Sequence, residues 1–210
     1  MNLTIKDLYF LTGGLSTPSK MPGFGYGLPS EKCILGSLLA KVKGTICHSC
    51  YTFRGFYVFP CVKKAQKKRL ATISRPEWVE WMTELISRKY RNRTGKNRVF
   101  RWHDSGDLQS VEHLSKIVQI AKNLPDIRFW LPTRERKIIR AYGKDFPVNL
   151  TVRMSVAMVS EKPRMGISLP QSTVSSGVGY ACPARSQGNQ CGPCRACWDP
   201  NVASVDYELH

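Results

Sequence analysis

At 210 residues the chain is long enough to fill one hydrophobic core, and 42% hydrophobic against 22% charged residues excludes a disordered or fibrous chain. No window approaches the roughly 20 apolar residues of a membrane span, and the opening MNLTIKDLYFLTGG sets polar and acidic residues where a secretory signal needs an unbroken apolar run. The expectation is a cytoplasmic protein without membrane association, whose net charge of +17 attracts polyanions, either nucleic acid or an acidic protein.

The first fifty residues, rich in Gly, Pro and Ser, show no sustained period and read as ordered loop with short strands. From Tyr57 to Leu70 the pattern is helical. Ser74-Arg75-Pro76-Glu77 then has the form of a capping box that starts a second helix running to about Tyr90, with Trp78, Val79, Met82, Leu85 and Ile86 as its apolar stripe. Residues 98–103 alternate as a strand. Ser110 is placed to cap a helix with the stripe Val111, Leu114, Ile117, Val118 and Ala121. Strands follow at 126–132 and 149–156 with a helix between them. Strand and helix alternating at this spacing imply a parallel α/β sheet or partial (βα) barrel. The whole is expected to be a single domain: a loop-rich segment 1–56, an α/β core 57–160 and a Cys-rich segment 161–210.

The eight cysteines fall into two sets, Cys33, Cys47, Cys50 and Cys61, then Cys182, Cys191, Cys194 and Cys197. In a reducing compartment close-spaced cysteines point to metal rather than to disulfides. No His stands at zinc-finger spacing, so thiolates are the natural ligands, and all-sulfur sites select zinc or iron–sulfur clusters. The distal C-x8-C-x2-C-x2-C lacks the paired knuckles of a zinc ribbon and looks like the thiolate turns that wrap a [4Fe-4S] cubane, with Gly192 and Pro193 allowing the tight turn. In the proximal set Cys33, Cys47 and Cys50 are the clear ligands. Cys61, at a helix start, is either a fourth ligand or a buried thiol, and if it abstains one iron stays open to a small ligand.

In parallel α/β folds ligands bind beyond the carboxyl ends of the strands. That rule gathers His103, Asp104, Ser105 and Asp107 on one rim with Thr133, Arg134 and Ser155, making His103, Asp104, Ser105, Asp107 and Arg134 the candidate catalytic groups. Each also has an ordinary reading as a cap or turn residue.

Five stretches, GGLSTPSKMPGFGYGLP, CHSCYTFRGFYVFP, RWHDSGDLQSVEHL, WLPTRE and CPARSQGNQCGPCRACWDP, together resemble the gene product 88 family of bacteriophages over nearly the whole chain. The resemblance implies a phage protein of the infected host's cytoplasm, distantly similar to radical S-adenosylmethionine (SAM) enzymes, with a barrel-like α/β fold and cysteine-bound iron–sulfur chemistry. Those enzymes carry a compact C-x3-C-x2-C loop with an aromatic residue before the last cysteine. Here only Cys47-x2-Cys50 matches, Ser49 replaces the aromatic, and thirteen residues separate Cys33 from Cys47. Gly13-Gly14 precedes the cysteines, whereas the methionine-binding motif of those enzymes follows them.

Three functions emerge. The first is an iron–sulfur protein of redox or radical-SAM-like type. The second is a zinc-stapled basic module that binds nucleic acid or an acidic host protein; KKAQKKR (63–69), SRKYRNRTGKNR (87–98) and RERKIIR (134–140) supply charge but also suit solvated helix faces. Tyr90, Phe100, Trp102 and Trp130 lie near basic residues and have the rings to stack bases, but their places in strands and helices favour core packing. The third is a hydrolase with His103, Asp104 and Asp107 around a catalytic cation.

Overall fold

The structure is a computed structural model and describes residues 3–209. Its centre is a seven-stranded open sheet in which every pairing is parallel. The strands are β1 (Phe24–Tyr26), β2 (Val99–Trp102), β3 (Arg128–Thr133), β4 (Leu150–Ser155), β5 (Gln171–Val174), β6 (Tyr180–Ala181) and β7 (Ser204–Tyr207), in the order β1-β2-β3-β4-β5-β7-β6. Among the described residues six α-helices accompany them: α1 (Ile5–Thr12), α2 (Ile34–Leu39), α3 (Pro60–Thr72), α4 (Trp78–Tyr90), α5 (Val111–Asn123) and α6 (Arg136–Tyr142).

Because successive side chains on a strand face opposite ways, the sheet has two distinct coverings. On one face Phe100 and Trp102, Phe129 and Leu131, and Leu150 and Val152 pack against α4, α5 and α1 in the main core, where Trp78, Met82, Leu85, Leu114 and Ile117 are wholly buried. Each such side chain contributes roughly 1.5–3 kcal/mol of burial. On the other face Val99, Trp130 and Val205 pack against Cys197 and Trp198, so the cysteine-rich segment itself roofs the sheet. A parallel sheet is stable only with both faces covered.

Three expectations need correction. Residues 5–12 form a helix, not loop: Asp7 N–H donates to Thr4 Oγ1 at 3.2 Å and Thr4 N–H to Asp7 Oδ2 at 2.8 Å, a reciprocal cap. The helix ends at Gly13, which adopts φ 80° and lies so close to α3 that a Cβ would come within 2.7 Å of the Arg69 backbone. The expected box at Ser74–Glu77 does not form; turns carry the chain through 73–77 and α4 opens at Trp78 without a side-chain cap. Ser110 does cap α5, accepting from His113 N–H at 3.0 Å, but Val111 is exposed rather than part of the stripe. The third correction concerns the cysteine-rich segment, which supplies three strands, so the sheet draws on all three segments of the chain.

Arg153 is fully buried on β4 and has no carboxylate hydrogen-bonded to it. It donates instead to the carbonyls of Cys197 (3.2 Å), Gln171 (3.1 Å), Ala196 (2.9 Å) and Asp199 (2.8 Å), while Thr151 donates to the Trp198 carbonyl at 3.0 Å. Burial lowers its pKa, and nearby Tyr207, Cys197 and Asp199 work against that shift. Replacing Arg153 by Met should strand these carbonyls and cost at least about 3 kcal/mol, measured by urea unfolding, with hydrogen exchange rising first across 196–199.

Candidate functional site

The loop after β1 carries the first three cysteines and is tied to three neighbours at the carboxyl end of the sheet. Leu28 N–H donates to the Ser105 carbonyl (2.8 Å) beyond β2, Leu35 N–H to Glu135 Oε1 (2.8 Å) beyond β3, and Ile46 N–H to the Ala157 carbonyl (2.9 Å) beyond β4. Cys33 precedes α2, Cys50 N–H closes a turn onto the Cys47 carbonyl at 3.2 Å, and Cys50 Sγ lies 3.0 Å from Thr52 Oγ1. A Cβ at Gly36 would stand 3.5 Å from Cys33 Sγ, 3.6 Å from Cys47 Sγ and only 2.8 Å from Cys33 Cβ. Glycine is what lets α2 pass over both sulfurs.

Burial pushes the Cys33 thiol far above the usual range, and Asp107, the thiols of Cys47 and Cys50, and Glu135 add to the rise. Burial also raises Cys47, against the pull of the Arg134 guanidinium. The structure therefore brings Cys33, Cys47 and Cys50 together with Asp107, Glu135 and Arg134. It leaves Cys61 exposed in the first turn of α3, outside this group. His48 turns away, its Nδ1 3.0 Å from the Ala40 carbonyl.

The second set is built by the last strands. Cys182 follows β6 and donates its N–H to the Asp206 carbonyl at 2.8 Å, Cys194 N–H closes onto the Cys191 carbonyl at 3.1 Å, and Cys197 sits beneath Arg153 with its Sγ 3.0 Å from Tyr207 Oη. Burial pushes Cys197 up to about 12, opposed by Tyr207 and Arg153. Burial likewise raises Cys182 and Cys191, each pushed further by other thiols of the set. Arg195 pins the loop by donating to the Gly192 and Cys194 carbonyls (2.7 Å each) and to the Lys96 carbonyl (2.9 Å). Among the described residues no group of three or more His, Cys, Asp or Glu side chains is placed to hold a metal ion.

Between the two sets lies half-buried Arg101. Its Nη2 donates to Tyr51 Oη at 3.3 Å, beside Cys50, and its guanidinium stacks 4.4 Å over the ring of Trp130. Trp130 in turn stacks on Tyr207, which contacts Cys197. Burial alone would lower the Arg101 pKa; Tyr51, Asp104, Tyr57 and Tyr207 outweigh it and raise it. Arg101 Nε, Trp130 Nε1 and Asp104 Oδ1 are buried without a hydrogen-bond partner, leaving unused polar capacity between the cysteine sets. Neither Arg101 nor Trp130 was singled out as a site residue by sequence; the signal was their alternation onto the face opposite Phe100 and Trp102.

The expected rim divides. Asp104 faces Arg101 and Arg69, with burial raising its pKa and those cations opposing it. Ser105 is a tie, donating to the Leu28 carbonyl at 2.9 Å and accepting from Gln66 at 2.8 Å. Asp107 accepts from Thr133 Oγ1 (2.6 Å), Arg134 N–H (2.9 Å) and Leu108 N–H (2.7 Å), so it fastens the ends of β2 and β3 under the three thiols. Arg134 Nε donates to the Val156 carbonyl at 3.1 Å. Ser155 pairs with Ser172 at 3.0 Å. His103 adopts φ 56°, and its ring is buried 5.4 Å from the ring of His113.

The family profile of gene product 88 matches residues 6–200. The chain belongs to the gene product 88 family. No curated protein and no solved structure matches it. The matched span takes in both cysteine sets, Arg101 and Arg153. Among the described residues no helix is long and apolar enough to cross a membrane.

Burial holds His103 and His113 neutral: it lowers His103 well below the usual value, helped by His113 and Arg101, and lowers His113 to about 3, helped by Lys116. Gln109 N–H points at His113 Nδ1 at 3.4 Å, fixing the proton on Nε2. Unfolded, both rings take up protons below about pH 6.5. Their contribution to stability is therefore complete above that pH and falls by about 1.4 kcal/mol per unit per ring as pH drops toward the folded values. Urea unfolding across this window should show that slope, and His113→Gln should remove about half of the histidine share; a slope unchanged in the variant would refute the assignment.

Proposed function

We propose that the chain is an iron–sulfur protein of redox or radical-SAM-like type, with one cluster on Cys33, Cys47 and Cys50 and a second on Cys182, Cys191, Cys194 and Cys197. The observation that carries this reading is the sorting of seven of the eight cysteines into a group of three and a group of four, each free of histidine. All-sulfur donors suit iron–sulfur clusters and zinc alike. A single zinc ion, with Zn–S near 2.3 Å, draws its sulfurs to within about 3.8 Å of one another, whereas a cubane accepts thiolates set farther apart. At Gly36 α2 passes close over the Cys33 and Cys47 sulfurs, and any occupant these thiols bind must displace their protons.

Position supports different roles for the two sets. Four thiolates close a cluster completely, and this set lies within the segment that roofs the sheet, as a structural or electron-relay centre would. Three thiolates leave one iron open, and these lie beyond the carboxyl ends of parallel strands, where such folds bind ligands. A cluster with an open iron supplies one-electron chemistry or a coordination site for a small molecule, of which SAM is the candidate the sequence resemblance names. The chain's own residues then have distinct tasks. Arg134 favours thiolate at Cys47, Asp107 and Glu135 hold the loop ends in register, and Arg101 with Asp104 offers a charged edge to orient a polar ligand between the sets.

Anaerobic purification with iron, sulfide and zinc quantified tests this reading. The expected protein is brown, with iron and sulfide in near-equal amounts. Cys194→Ser should lose about half of the iron and lower solubility, since site binding is also folding energy, while Cys61→Ser should retain all of it. Colourless protein carrying stoichiometric zinc would overturn the proposal.

A further inference from the structure

The chain has no acidic residue between Glu31 and Glu77. Helix α3 buries Gln66, Arg69 and Thr72 against α1 and the sheet, which turns Lys63, Lys64, Lys67 and Lys68 together to solvent. Among the described residues none of these four lysines is in an ion pair. Aromatic rings stand beside them rather than beneath the surface. Phe56 is 77% exposed and meets Phe59, 46% exposed, edge to face at 5.4 Å; Phe10, 67% exposed, lies 4.3 Å below the ammonium of Lys68. Phe53 and Tyr57 line, with Lys63, a cleft of about 320 Å³ whose one carboxylate is Glu31. That volume is at the small end of ligand sites.

Single exposed apolar side chains are ordinary, but a cluster of rings at the edge of four unpaired lysines is not. We infer that this face, α3 with the aromatic turn 53–59 and Phe10, binds single-stranded nucleic acid. Lysines one turn apart along a helix track a phosphate backbone, and exposed rings beside them offer flat partners for bases, each stack contributing roughly 1–3 kcal/mol. The rings reach only bases that are unstacked, which favours a single strand over a duplex. A lipid surface is the poorer fit, because the outer face of α3 is dominated by Lys63, Lys64, Lys67 and Lys68 and presents no apolar stripe to bury. An acidic protein would answer the lysines but not the rings. The inference is independent of the metal reading, since none of these residues belongs to either cysteine set.

Fluorescence anisotropy of the full chain with labelled oligothymidylate tests it, alongside the duplex of the same length and phosphatidylserine vesicles. Affinity should fall with salt with a log–log slope near −3, since each single-strand phosphate contact contributes about 0.7. Phe56→Ala with Phe59→Ala should weaken binding about tenfold or more with the slope kept. Lys67→Gln with Lys68→Gln should instead flatten the slope by about 1.4. All four positions are exposed, and an unchanged thermal melt certifies the fold of each variant. Absence of binding at low salt, an unchanged affinity in the Phe pair, or tighter binding to the vesicles than to the oligonucleotide would each overturn the inference.

Discussion

The guanidinium of Arg153 is set where no water reaches it, with main-chain carbonyls for partners instead of a carboxylate. A rigid fork of donors can gather several carbonyls that point inward from a loop, which a lysine could not do with one ammonium. Through those bonds the segment 196–199 becomes part of the sheet's second face, Trp198 donates its indole N–H to the Phe100 carbonyl at 2.8 Å, and Trp130 is enclosed. The sheet is thereby covered on both sides. The cysteine-rich loop acquires a fixed backbone without needing a core of its own.

Loop ties at the carboxyl end of the sheet do for the first three thiols what Arg153 does for the last four. The Ser105 carbonyl, Glu135 and the Ala157 carbonyl reach from the ends of successive strands to one long connection, which explains how a Gly/Pro-rich stretch holds a defined course. The two sets then flank Arg101, and a continuous chain of contacts runs from Cys50 by way of Tyr51, Arg101, Trp130 and Tyr207 to Cys197. Neither set is an isolated appendage.

Much of this was legible in the sequence wherever a period was long enough to read. The helices at 78–90 and 111–123, the strands at 99–102, 128–133 and 150–155 and their parallel arrangement follow from apolar spacing and from alternation. What was hidden had specific physical causes. Helix α1 is only two turns long and its cap, Thr4 with Asp7, was masked by the glycines that end it. Strand β6 is only two residues long, and β5 and β7, four residues each, are largely polar in sequence (QSTV and SVDY), so no apolar alternation announces them. The left-handed backbone of His103, φ 56°, was also hidden: histidine is enriched in that region, but too weakly to mark one position. The grouping of three thiols apart from Cys61 depends on α3 starting at Pro60 and facing its first turn to solvent.

In the sheet β7 lies between β5 and β6, although β6 precedes it in the chain, so β6 has no hydrogen-bonded neighbour without β7. Cys182 is anchored through Asp206 and Cys197 through Tyr207, both on β7. The four-thiol set therefore depends on the last strand of the sheet as well as on Arg153: without β7 it loses the Asp206 and Tyr207 anchors, whereas none of the ties described for the three-thiol corner runs through β7.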